Sequence, residues 1–289
     1  MPISFAAIAP HGFPIIPELS EDAEGAFVTR AAMHELGRRA VDAGVEAIVI
    51  AGPHGVRVDG AVALADTARA AGRLRWKACE VELNVPVDGD LTDAVAVAVR
   101  DRGVPIAMVG YAGNRRDQSV IPLDWGILTP LWFLGHGRNM PGHGDVLADP
   151  PPADEGPPVV IVTPSRSLPR TTLAEFGRAV AAAAADDPRP IAFIASCDWA
   201  HTHRADGPYG FHPEAALVDA EVVAAIRDDD PMRLIALDEG RARDAAIDGL
   251  WQTVMLAGVL AAVPMRGELL SYEAPSYYGM LVAVWNRRP

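Results

Sequence analysis

The sequence predicts an α/β fold. It reads as a single domain over residues 1–289, with a central, largely parallel or mixed sheet flanked by helices and a C-terminal antiparallel strand pair. Three observations predict this. Short apolar runs recur along the chain, each stopping at Gly, Pro or a polar cluster, as buried strands do. An amphipathic stretch separates the first two runs, so the chain opens as strand, helix, strand, and a crossover helix makes such strands parallel. Near the other end, two β-rich runs flank Ala274-Pro275-Ser276, the pattern of an antiparallel pair.

Each element follows in order. Residues 3–9 (ISFAAIA) form a buried strand that ends at Pro10-His11-Gly12. Ser20 before Glu21-Asp22 reads as an N-cap with acids in the first turn. Phe27, Ala31, Leu36, Ala40 and Val41 share one helical face, and Gly44 closes that helix. Residues 47–51 (AIVIA) form the next strand, which ends at Gly52-Pro53-His54-Gly55. Further strands are expected at 104–110, 158–163 and 190–195, with a helix over about 171–185 between the last two. The Gly-, Pro- and Asp-rich stretch 137–157 reads as a long surface loop within the domain. The terminal pair comprises 268–273 and 277–285, and no internal repeat is evident.

Bulk properties narrow the function. Half of the 289 residues are hydrophobic, ample for a sizeable core, and Ala and Val carry much of that content, which favours closely packed helices. A formal net charge of −13 without a basic cluster repels polyphosphates, so nucleic acid is excluded as a partner. The two cysteines, Cys79 and Cys197, form no CxxC, which argues against a zinc knuckle or redox pair and suits a reduced compartment. No apolar run approaches a membrane span, so a cytoplasmic protein without membrane contact is expected.

Two constellations could carry chemistry. Pro-His-Gly occurs twice, at 10–12 and 53–55, each time directly after an apolar strand. Parallel strands put their carboxyl ends at one edge of the sheet, where open α/β folds bind ligands. His11 and His54 are therefore expected as neighbours, and neutral imidazole is a common ligand for zinc, iron and copper. The second constellation is Ser196-Cys197-Asp198-Trp199-Ala200-His201-Thr202-His203, which follows another apolar strand. His201 and His203 compete there for an acid/base role, Asp198 could orient an imidazole, and Cys197 has no activating partner. Two histidines usually need a third ligand, and the residues leave Asp238, Glu239, Asp244 and Asp248 open.

Taken together, AAIAPHG, GPHG, SCDWAH with GPYGFHPEAALVD, and GELLSYEAPSYYGMLVAVW resemble the LigB-like class III extradiol ring-cleavage dioxygenases, catalytic subunit type, over nearly the whole chain. The resemblance implies a non-haem Fe(II) site, with zinc or manganese as alternative metals, and the opening of a catechol or 2-aminophenol-type ring by O₂ in aromatic compound catabolism. It maps the metal histidines to His11 and His54 and the acid/base to His201. Asp198, His203 and Trp125 become substrate contacts. Two departures stand out. The family's usual glutamate corresponds to Asp244, with Asp248 as a second candidate, and Trp125 stands where many members carry a histidine. An indole offers one donor and takes up no proton at neutral pH.

The implied partners are a small aromatic substrate and O₂. A homo-oligomer is expected, and some members work as β subunits with a small α partner. Two other readings remain open: a Memo-like metal-pocket protein with a signalling or interaction role, and a zinc-dependent hydrolase with His201 as general base.

Overall fold

The computed structural model describes residues 3–20, 25–136 and 156–287. The expected loop at 137–157 therefore falls almost wholly outside the described residues. In chain order the strands are β1 (Ile3–Ala9), β2 (Ala47–Ala51), β3 (Val62–Ala65), β4 (Arg69–Trp76), β5 (Cys79–Pro86), β6 (Ile106–Val109), β7 (Val120–Pro122), β8 (Val159–Thr163), β9 (Ile191–Ser196), β10 (Met265–Glu273) and β11 (Met280–Arg287). The α-helices are α1 (Phe27–Asp42), α2 (Gly89–Asp101), α3 (Trp125–Leu131), α4 (Arg170–Ala185), α5 (Glu214–Arg227), α6 (Glu239–Asp244) and α7 (Leu250–Ala262).

The main sheet is mixed, in the order β10-β11-β1-β9-β2-β8-β3-β6, and β5-β4-β7 form a smaller second sheet. Its centre, β1-β9-β2-β8, is parallel throughout, whereas β11 runs antiparallel to β1 and β3 antiparallel to β8. The sequence predicts β1 and β2 as parallel, and they are; β9 lies between them. The loops after β1, β9 and β2 therefore leave the same edge side by side.

The central strands are apolar without alternation because both faces are covered. Ile3, Ala6 and Ile8 of β1 enter one core, with α2, α4, α5 and α7 residues, while Phe5, Ala7 and Ala9 enter the other, with residues of α1, α3 and the small sheet. Alanine-rich α4 lies against α7, the close helix packing that the composition predicts.

One helix start differs from expectation. The first helix begins at Phe27, after Ala26 in a left-handed conformation, not behind Ser20. Ser20 instead ends a short 3-10 turn, its N–H donating to the Pro17 carbonyl at 3.2 Å. The exit is as predicted: Gly44 at φ +66° lets its own N–H reach Val41 O and the Val45 N–H reach Ala40 O, satisfying two terminal carbonyls. No helix among the described residues is long and apolar enough to cross a membrane.

Candidate metal centre

The two Pro-His-Gly loops bring His11 and His54 together, with ring centroids 5.2 Å apart and planes nearly perpendicular. Asp248 completes a group whose ligand atoms lie within 4.8 Å of one another. Its Oδ2 is 3.5 Å from His11 Nε2 and 3.6 Å from His54 Nε2.

The third carboxylate is thus a correction to the sequence expectation: Asp248 faces the histidines and Asp244 does not. Asp244 is the last residue of α6, and its half-exposed carboxylate lies 3.5 Å from Arg243 Nε. The chain then turns through Ala246, held at φ +47°, and this turn carries Asp248 back to the site. The next residue must be small. A Cβ at Gly249 would lie 2.5 Å from Cys197 Cβ and 2.9 Å from the Asp198 carbonyl, so only glycine lets this segment close against the loop after β9. The start of α7 at Leu250 also places the helix's positive end beside Asp248.

His11 is 1 % exposed and held at two points. Its backbone N–H donates to Asp198 Oδ1 at 3.1 Å, and its Nδ1 lies 3.0 Å from Ser196 Oγ. The Ser196 hydroxyl donates to the Gly126 carbonyl, so it accepts from His11 Nδ1–H. That bond fixes the tautomer and leaves Nε2 as the ligand atom.

The electrostatics show how the site is balanced without a metal. Burial opposes a charge on His11, but Asp198 and Asp248 outweigh it and raise its pKa to about 9. Burial lowers His54 to about 4, helped by the His11 charge. Burial pushes Asp248 up, and the neighbouring His11 more than offsets this, so its carboxyl stays below the usual range. Asp248 Oδ1 is buried without a hydrogen-bond partner, a costly arrangement for a carboxylate oxygen. Two imidazoles and a carboxylate with an orphaned oxygen fit a divalent metal, and this donor set suits Fe(II) or zinc.

The remaining expected residues separate into those at the cleft and those away from it. A cleft of about 840 Å³ opens on the three candidate ligands, and Trp125, Asp198 and His201 line it. His201 Nδ1 lies 3.0 Å from the Ala246 carbonyl, which can only accept, so Nδ1 carries the proton and Nε2 is the basic atom. Its backbone N–H donates to the Ala245 carbonyl at 2.8 Å. The turn that delivers Asp248 therefore also orients His201. Trp125 begins α3 and lies over His54, with ring centroids 4.3 Å apart.

His203 is the second correction. It does not line the cleft; its Nε2 donates to Asp219 Oδ2 at 2.9 Å. The same carboxylate accepts from Tyr272 OH at 2.7 Å and, through Oδ1, from the Ala200 N–H at 3.0 Å. His203 thereby pins the loop after β9 instead of facing a ligand. Cys197 is likewise structural: burial pushes its thiol well up, and Sγ donates to the Gly249 carbonyl.

Sequence reasoning missed Ser196 and the tyrosines of the cleft. Tyr278 stacks on His201 at 5.6 Å between centroids, and Tyr209 meets it edge-on at 5.6 Å. A Cβ at Gly12 would fall on the Tyr278 hydroxyl, so this glycine admits the tyrosine ring beside His11. A signal existed: the predicted final strand pair, once paired to β1, must return its turn to the His11 edge.

Residues 5–283 match the family described as the catalytic LigB subunit of aromatic ring-opening dioxygenase. The chain belongs to that family. Relatives extend the comparison. The chain is 24% identical over 268 residues to "Protein CA_C1420" of Clostridium acetobutylicum, covering 92% of this chain and 54% of that protein. It thus spans about half the length of the curated relative it matches. Among solved structures it is similar to the uncharacterized protein JW3007 from Escherichia coli K12, with a TM-score of 0.62 and 17% identity, covering 97% of this chain and 99% of the other. Within this family the chain presents a His-His-Asp group, His11, His54 and Asp248, with the spacing of metal ligands.

Proposed function

We propose that the protein is a non-haem Fe(II)-dependent extradiol dioxygenase that opens a catechol or 2-aminophenol-type ring with O₂. The observation that supports this reading most is the convergence of His11, His54 and Asp248 at the floor of a cleft that also presents an oriented imidazole. Two imidazoles and one carboxylate occupy one side of an ion and leave positions for ligands. Bound there, Fe(II) would supply a common point of attachment for diol and O₂ and would make the diol more acidic.

The chain's own residues would do the rest. His201 Nε2, basic because Nδ1–H is committed to the Ala246 carbonyl, accepts the proton of a substrate hydroxyl and can return it later. Trp125 gives the ring an apolar face over His54 and leaves proton transfer to His201. Tyr278 and Tyr209 wall the other side of His201. Asp198 holds the His11 backbone, so its part is to position a ligand residue and not to meet substrate first.

Metal loading should release a proton. In the metal-free site His11 stays protonated up to about pH 9, and the metal takes that proton's place. Raising the pH removes the competitor, so apparent affinity should climb about tenfold per unit through neutrality and level off near pH 9. Calorimetry at neutral pH in two buffers of different ionisation enthalpy should report close to one proton released per metal.

The reaction is tested by mass spectrometry of the product formed from an ortho-diphenol under labelled dioxygen. Ring opening with both oxygen atoms retained in one product is expected. A product formed equally well without O₂ would favour the zinc-dependent hydrolase, and no product would favour a Memo-like binding role.

A further inference from the structure

The buried face of α5 is apolar except at Asp219, which shares it with Ala215, Val218 and Val222 and is 1 % exposed. A carboxylate in that setting is costly unless donors meet its oxygens. Oδ1 accepts from the Ala200 N–H at 3.0 Å, and Oδ2 accepts from His203 Nε2 at 2.9 Å and the Tyr272 hydroxyl at 2.7 Å. Burial and the Asp219 charge both push the Tyr272 hydroxyl's pKa up, so it remains a donor. An apolar side chain would fill this place without the desolvation cost, so what the carboxylate adds is direction.

Its donors come from two segments that flank the acid/base candidate. Ala200 and His203 bracket His201 in the loop after β9, and Tyr272 lies in β10, before the turn that carries Tyr277 and Tyr278. The two segments pair like short strands. The Trp199 N–H donates to the Gly279 carbonyl at 2.8 Å, the Gly279 N–H to the Ala200 carbonyl at 3.0 Å and the His203 N–H to the Tyr277 carbonyl at 3.1 Å. A Cβ at Gly279 would fall on Asp219 Oδ2, so the turn closes directly over the carboxylate. On the opposite side, the His201 N–H and the Thr202 hydroxyl donate to the carbonyls of Ala245 and Asp244. His201 is thus suspended between the turn that delivers Asp248 and the turn that carries Tyr278, its stacking partner. In strand-like pairing a slip of one residue turns every side chain to the other face. By accepting at both residue 200 and residue 203, Asp219 excludes that slip.

We propose that Asp219 is a positioning residue for proton transfer: it holds residues 200–203 in register so that His201 keeps Nδ1–H on the Ala246 carbonyl and aims Nε2 into the cleft. This rests on the ring-cleavage reading, in which His201 carries the proton. Asp219 lies outside the cleft lining and the candidate ligand group, and acts through the backbone on either side of His201.

The test is Asp219→Asn, which keeps the volume and replaces one accepting oxygen by a donor. In oxygen uptake with catechol or 2-aminophenol, the Fe(II)-loaded variant should lose about 10- to 100-fold in turnover number, the scale of a misplaced catalytic group. Bound iron and the Michaelis constant should change little. Added to His201→Ala, the substitution should cost no further turnover, because the two residues act as a unit. Nitrogen-15 NMR of zinc-loaded protein, which does not turn over, should show His201 protonated on Nδ1 in the parent and shifted toward the Nε2–H form in the variant. His203→Leu removes one hold on the segment and leaves the carboxylate its other two donors, so it should move both readouts in the same direction even where Asp219→Asn does not fold. Unchanged turnover in the folded variants, a loss that adds in full to that of His201→Ala, or an unmoved His201 tautomer would overturn the proposal. Failure of the ring-cleavage reading looks different: the parent would consume no O₂ with either probe while the His201 tautomer still depended on Asp219.

Discussion

Asp248→Asn should leave a folded protein that no longer holds its metal, whereas Asp244→Asn should hold metal as the parent does. Asp248 is the carboxylate that reaches both imidazoles, and replacing it removes both the negative charge and an anionic ligand oxygen. Even second-layer changes around metal sites cost roughly 10- to 100-fold in affinity, so losing a ligand should exceed about 100-fold. Asp244 lies half-exposed beside Arg243, and a surface change of that kind should alter affinity by no more than about twofold. Metal content after dialysis against a weak chelator, with a melting curve as the folding control, separates the two variants. Equal metal retention in both would remove Asp248 from the centre.

His201→Ala should do the reverse: keep the metal and lose turnover. His201 stands outside the three candidate ligands, and its Nδ1 is bonded to the Ala246 carbonyl. Removing a positioned acid/base typically costs about 10²- to 10⁴-fold in rate. Turnover number should carry that loss while the Michaelis constant changes little, since the diol would bind chiefly through the metal. Loss of metal in this variant would mean that His201 is a ligand or holds the Asp248 turn in place, and its role as proton carrier would fall.

These two residues show how far the sequence could be read. The histidine pair was legible because each lies directly after a continuous apolar run, and continuous apolar runs in a parallel sheet share a carboxyl edge. His201 was narrowed by its place after β9, although residues alone could not separate it from His203. What separates them is Asp219, contributed by α5 and buried at 1 % exposure, which captures His203. Asp244 and Asp248 could not be ranked because the decision lies in backbone: a left-handed Ala246 and a close approach at Gly249 turn the second carboxylate inward.

The small sheet escaped notice for another reason. Strand β4 (RAAGRLRW) is rich in arginine and alanine, has a glycine in its middle and lacks the β-branched residues that announce a strand. Its partner β5 does alternate, with Val81, Leu83 and Val85 buried, but such a signal is weak without a recognisable mate. The start of α1 was misplaced because Ser20 followed by acids resembles an N-cap, while its N–H is used to close the preceding turn.

The most direct test of the central claim is oxygen uptake by Fe(II)-loaded protein offered a panel of catechols and aminophenols, neutral and carboxylated. Consumption of one O₂ per aromatic molecule opened, abolished in Asp248→Asn and His201→Ala, is the predicted result. Stoichiometric bound iron with no oxygen uptake from any member of the panel would contradict it.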